Sequence, residues 1–124
     1  MEETNKLAPI VLFCYNRPWH TQQTLDALAL NELASASDLI VYCDGPKNDS
    51  DDKTLLSITE TRNVIKSEKR FNSITIVESD YNKGLATSII EGVTEVVNRY
   101  GRIIVLEDDI VTSPGFLSYM NDAL

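Results

Sequence analysis

Glu107-Asp108-Asp109 sets three carboxylates side by side, directly after the apolar run Arg102–Leu106. Adjacent carboxylates repel, and one is pushed toward its neutral form unless a cation or hydrogen-bond donors compensate. Such a cluster at a strand end is costly unless it binds something. Hard carboxylate oxygens suit Mg²⁺ or Mn²⁺, and one or two of them suffice when substrate phosphates fill the remaining positions. Arg17 and Lys83 would add charge-assisted contacts to those phosphates. Asp44, which ends another apolar run, can accept hydrogen bonds from a base or a ribose. His20, Cys14 and Cys43 do not have the placement of a zinc set. The combination suits a nucleoside diphosphate with its metal. Plainer readings of the same residues remain open: Arg17 as a surface arginine, Asp44 as a turn former before Gly45-Pro46, Lys83-Gly84 as a loop, and Glu107 and Asp108 as local backbone acceptors.

These residues need elements to position them. Leu7–Tyr15, Leu39–Cys43, Ile74–Val77 and Arg102–Leu106 read as strands, the continuous apolar runs among them implying burial on both faces. Asn16 as cap and Pro18 in the first turn predict a helix to about Leu30, with Leu25 and Leu28 on its apolar face. Lys47–Lys53 reads as a solvated loop, and Thr54–Lys69 as a helix through Leu55, Ile58 and Ile65. Leu85, Ile89, Val93, Val96 and Tyr100 recur at helical spacing, and Gly101 supplies a left-handed cap. Ser113-Pro114 opens a last helix through Phe116, Leu117 and Met120. Strand-helix alternation of this kind predicts an α/β fold, a three-layer α/β/α sandwich with a mostly parallel sheet. In such sheets ligands bind outside the carboxyl ends of the strands. Those ends carry Asn16-Arg17, Asp44, Asp80 to Gly84, and Glu107 to Asp109, whereas the amino ends are poorer in polar residues.

Composition narrows the class. A chain of 124 residues, 43% hydrophobic and 24% charged, is one soluble globular domain or part of one, with Met1–Lys6 as a frayed tail. A net charge of −8 argues against nucleic-acid binding, which needs a basic footprint. No apolar run approaches the roughly 20 residues of a membrane span. An acidic start and two thiols read as buried and reduced fit a cytoplasmic setting.

The succession CYNRP, YCDGP, NKG before a helix, VLEDDI and then SPGFLSYM resembles the nucleotide-sugar-binding half of a GT-A glycosyltransferase. The Glu-Asp-Asp form of the DXD motif is most similar to that of N-acetylglucosaminyltransferase I and its bacterial relatives, and the Asn82-Lys83-Gly84 segment is looser in its likeness to family 2 enzymes. The resemblance runs over residues 8 to 124. It implies that Arg17 contacts the donor diphosphate, Asp44 the uracil or neighbouring base edge, Lys83 a phosphate, and Glu107 and Asp108 the donor sugar and ribose. Asp109 would ligate Mn²⁺ or Mg²⁺. It implies a nucleoside diphosphate sugar, UDP-linked, as donor and a glycan, lipid or protein as acceptor. The catalytic base is expected downstream of Leu124, so the chain by itself is expected to bind donor weakly and transfer little. The alternative is a catalytically incomplete nucleotide-sugar-binding or assembly module. The last helix is expected to expose Phe116 and Leu117 and to favour a homo-oligomer through that face.

Rival α/β classes lack their signatures. A phosphorylation receiver needs acids after the first strand, where Asn16-Arg17 stand. A P-loop NTPase needs a Gly-x-x-x-x-Gly-Lys-Ser/Thr loop, and none occurs. A nucleotidyltransferase needs a Gly-rich loop after Tyr15.

Overall fold

The computed structural model describes residues 7–124, so the tail expected at 1–6 lies outside the described residues. Strand β1 (Ile10–Cys14) is buried at all five positions. It is shorter than the apolar run that announces it, because Pro9 has no N–H to give to a ladder and Tyr15 already belongs to the rim. Helix α1 (Pro18–Ala29) and a short 3-10 turn (Ala34–Ala36) lead to β2 (Asp38–Cys43), then α2 (Asp52–Lys66), β3 (Ser73–Glu78), α3 (Leu85–Tyr100), β4 (Ile104–Glu107) and α4 (Phe116–Ala123).

The four strands form one sheet in the order β3-β2-β1-β4, every pair parallel. The layering follows from handedness. From β1 to β3 the chain steps outward in one direction, so right-handed crossovers put α1 and α2 on the same face. From β3 it must return across β2 and β1 to reach the far edge, and the same handedness then puts α3 on the other face. The packing agrees. Ile10, Leu12, Leu39, Val41, Ile104 and Leu106 meet Leu25 and Leu28 of α1, Ile65 of α2 and Leu117 of α4. Val11, Phe13 and Ile40 meet Ile89, Val93 and Val96 of α3. The predicted three-layer α/β/α arrangement is therefore the observed one. No helix among the described residues is long and apolar enough to cross a membrane.

Several local expectations are corrected. β3 is an edge strand with exposed Ser73, Thr75 and Val77, and β4 forms the opposite edge with Val105 exposed, so only β1 and β2 are central. The N-cap of α1 is Arg17 and no side chain caps it; Asn16 does not. Helix α2 starts before Thr54, because Asp51 accepts the Thr54 N–H at 2.8 Å and closes the first turn. Its buried positions are Ile58, Thr61 and Ile65, while Leu55 is exposed; Thr61 tolerates burial by donating its hydroxyl to the Ser57 carbonyl. Helix α4 starts at Phe116 rather than at Pro114. Gly101 ends α3 in the left-handed region, as its type suggests.

The largest correction concerns α4. Leu117 is fully buried and Phe116 is partly buried against the same core, so neither forms an exposed apolar face for self-association. Two asparagines dock this helix. Asn31, itself buried, gives its amide to the carbonyls of Ala27 and Leu28 at the end of α1 and accepts the Leu117 N–H at 2.9 Å. Asn121 accepts the Ala8 N–H at 2.8 Å and donates to the Leu117 carbonyl. One side chain thus finishes α1 and starts α4, which fixes the far end of the loop carrying the acidic triplet. Asn31→Ala should cost about 1–3 kcal/mol, since it strands the Leu117 N–H, while the Ala27 and Leu28 carbonyls keep the backbone N–H groups of Leu30 and Asn31. Urea denaturation should show that loss, and amide exchange at Leu117 should rise more than exchange in β1.

Candidate functional site

The carboxyl ends of β1, β2 and β4 and the start of α3 enclose a cavity of about 320 Å³. Its walls are Tyr15, Asn16 and Arg17 after β1, Asp44 and Lys47 after β2, Asn82, Gly84, Leu85 and Ser88 at the head of α3, and Glu107, Asp108 and Asp109 after β4. Phe13 and Tyr42, stacked with ring centroids 5.3 Å apart, reach it from within the sheet. The position is set by topology. Strand order reverses between β1 and β4, and the crevice at such a reversal is where parallel sheets open toward a ligand.

Arg17 and Asp109 flank that reversal and face each other at 3.8 Å, each about half exposed. The Asp108 backbone is held by the buried Thr24 of α1, whose hydroxyl donates to the Asp108 carbonyl at 3.0 Å. Burial pushes the Asp108 carboxyl above its ordinary range; Arg17 and His20 pull it down, while Asp109 and Glu107 push it further up. The wall carries four carboxylates, Asp44, Glu107, Asp108 and Asp109, against two cations, Arg17 and Lys47. Among the described residues no three of His, Cys, Asp and Glu converge as a metal-holding group.

Asp44 has a role the sequence does not disclose. Its Oδ1 accepts the N–H groups of Gly45 and Lys83, each at 2.9 Å, and its Oδ2 accepts that of Gly84 at 3.1 Å. It fastens the loop that launches α3. Gly84 adopts φ +84°, open to glycine and strained for other residues, and this lets the chain turn from the carboxylate into the helix. The neighbouring turn is packed against the same loop: a Cβ on Gly45 would stand 2.5 Å from the Ser79 carbonyl oxygen, and Asn82 donates to the Gly45 carbonyl at 3.0 Å. Arg62 of α2 adds a brace by donating to the carbonyls of Asp44 and Ser79. With no side chain capping α3, the first-turn N–H groups stay available at the cavity wall.

The structure therefore brings Arg17, Asp44, Glu107, Asp108 and Asp109 to one cavity. Lys83 is elsewhere: its ammonium pairs with Glu91 at 2.9 Å and borders a smaller neighbouring cavity, so only its backbone serves the loop. Lys47, passed over in the sequence as part of a solvated loop, is on the cavity wall instead. Its place just past the Asp44-Gly45-Pro46 turn was the available signal. Arg62 gave none, since its partners are 17 and 18 residues away in sequence. Tyr42 combines packing with lining, and its hydroxyl donates to Glu95 at 2.7 Å. Trp19 is largely exposed and stacks edge-on to His20.

The class defined so far is a parallel α/β domain with a cavity at its strand ends that charged and aromatic side chains line together. No protein-family model and no curated protein matches the chain. Asp44→Ala should strand three backbone N–H groups and cost about 2–3 kcal/mol. Amide exchange at Lys83 and Gly84 should speed up roughly tenfold or more relative to β1, and Asp44→Asn, which keeps one acceptor oxygen, should fall between the two.

Proposed function

We propose that the cavity binds a nucleoside diphosphate sugar together with Mg²⁺ or Mn²⁺, and that the chain is the donor-binding part of a metal-dependent glycosyltransferase of the GT-A type. The observation that carries the reading is the pairing of Arg17 with Asp109 across the strand-order reversal, inside a cavity where acids outnumber bases. Arg17, Lys47 and the uncapped start of α3 offer donors to a diphosphate. Four carboxylates in the same wall repel that diphosphate unless a cation enters with it. A wall of mixed sign is what an anion-plus-cation ligand needs.

The donor chemistry fits such an ion. Asp109 would hold it directly, with Asp108 alongside; burial first, and the neighbouring Asp109 and Glu107 carboxylates after it, raise the Asp108 carboxyl, and a cation there would offset both. Two carboxylates do not make a protein cage, but Mg²⁺ and Mn²⁺ characteristically take only one or two and complete their shell from phosphates and water. When bound, the ion supplies Lewis acidity to the departing diphosphate. Around it, Arg17 binds and orients the diphosphate, Glu107 faces the sugar and ribose, and Tyr15 offers a stacking face for the base. Asp44 contributes chiefly by holding the loop. Three of its roughly four lone-pair positions are engaged, which leaves one toward a base.

Calorimetric titration of UDP and GDP, each with Mn²⁺ and with EDTA, tests the reading. We expect metal-dependent heat that EDTA abolishes, a loss of at least about tenfold in affinity for Arg17→Ala, which is some 1.4 kcal/mol, and loss of the metal dependence for Asp109→Ala. Metal-independent binding, or none by a chain shown to be folded, would contradict it.

A further inference from the structure

Cys14 and Cys43 end the two central strands opposite each other in the parallel register, both on the face covered by α1 and α2. Their sulfurs are 3.5 Å apart, within hydrogen-bond contact and not bonded. Directly registered positions on neighbouring strands fall in the Cα range that a disulfide spans. Cys14 is among the residues lining the 320 Å³ cavity, and Cys43 among those lining the adjacent one of about 120 Å³. The pair is thus at the strand ends beside these openings, although both residues are buried from bulk solvent. Neither thiol has a part in the nucleotide-binding reading.

We propose that Cys14 and Cys43 form a reversible dithiol–disulfide couple that hydrogen peroxide closes. The bond between them would tie β1 to β2 at the cavity rim. The reaction balances in two steps. The Cys43 sulfur attacks one peroxide oxygen, the O–O bond breaks, and the departing hydroxide takes up the Cys43 proton as water, giving a sulfenic acid at Cys43. The Cys14 sulfur then attacks the Cys43 sulfur, the S–O bond breaks, and the Cys14 proton leaves with that oxygen as water. Two thiols lose two electrons and two protons, and one peroxide becomes two waters. The polarity fits the surroundings. A hydrogen bond from Cys14 holds Cys43 below the usual thiol range against the opposing effect of burial, with Arg62 helping, and so favours the nucleophilic thiolate there. The same contact, with burial, pushes Cys14 up and keeps its proton on.

Closure draws the sulfurs from 3.5 Å to about 2.05 Å. The adjoining residues share backbone bonds with the pair: the Asp44 N–H donates to the Cys14 carbonyl, and the Ser79 N–H to that of Cys43. The bond therefore acts on the segments carrying Arg17 and Asp44.

The test uses the whole reduced chain, freed of reductant and exposed to a hydrogen peroxide dose that fully oxidises an exposed peptide thiol. The expected result is loss of both thiols from a count made after denaturation. Intact mass should fall by two hydrogens, a proteolytic peptide should join Cys14 to Cys43, and dithiothreitol should restore both thiols, all at a rate independent of protein concentration. Retention of both thiols at that dose would overturn the proposal. So would products confined to intermolecular disulfides or to sulfinic acid. No substitution is needed, so stability of a variant does not enter. Because nucleotide is absent from the assay, failure of this inference is separate from failure of the nucleotide reading.

Discussion

Everything at the site depends on where the chain turns back. After β3 the strands stop adding outward, and α3 carries the chain over the opposite face of the sheet to set β4 beside β1. That return brings the acidic end of β4 next to the basic end of β1, and it aims the first turn of α3 at the space between them. The driving force is ordinary burial: Val11, Phe13 and Ile40 need a cover, and Ile89, Val93 and Val96 provide it. The polar consequences follow from a packing requirement rather than from any attraction among the charged residues, whose exposed pairing is worth little in energy.

The cavity owes its shape to groups that no ligand need touch. Asp44 spends most of its acceptor capacity on three backbone N–H groups, Arg62 ties two carbonyls from beneath, and Gly45 leaves room for the Ser79–Tyr81 backbone to press close. On the opposite wall, Thr24 holds the Asp108 carbonyl and Asn31 holds the start of α4. The acidic triplet is thus anchored at both ends of its loop by buried side chains of one helix end and one helix face. Backbone held in this way gives the carboxylates between its anchors a fixed place. The Cys14–Cys43 contact belongs to the same rim, and its oxidation state is a second variable acting on the first.

How far the sequence discloses this differs by level. The α/β class and the end of α3 follow from patterns whose physical cause is local: apolar runs, helical spacing, and a glycine at a left-handed cap. That the acids, Arg17 and Asp44 share a cavity was also accessible, because parallel strands must present their carboxyl ends together. Partnership within the site was not. Asp44 reads equally as a ligand contact and as a turn former, and only the approach of residues 83 and 84, about forty positions on, decides what its oxygens hold. Lys83 is next to a helix start and looks like a phosphate contact until Glu91, two helical turns later, claims it. Burial of Leu117 is not legible in the sequence for a similar reason. Asn31 and Asn121 are polar and carry no sequence mark of docking a helix.

The central claim is that a diphosphate and a divalent cation enter the strand-end cavity together, and location tests it more directly than affinity. Paramagnetic broadening by Mn²⁺ in the ¹⁵N-labelled chain, with and without UDP and against a Mg²⁺ reference, reports that location. The account predicts that UDP and Mn²⁺ together broaden the amides of Asn16, Arg17, Gly84, Leu85, Asp108 and Asp109, and that Mn²⁺ alone does so far more weakly. Broadening centred on another acidic stretch, such as Asp49 to Asp52, or unchanged by the nucleotide, would contradict it.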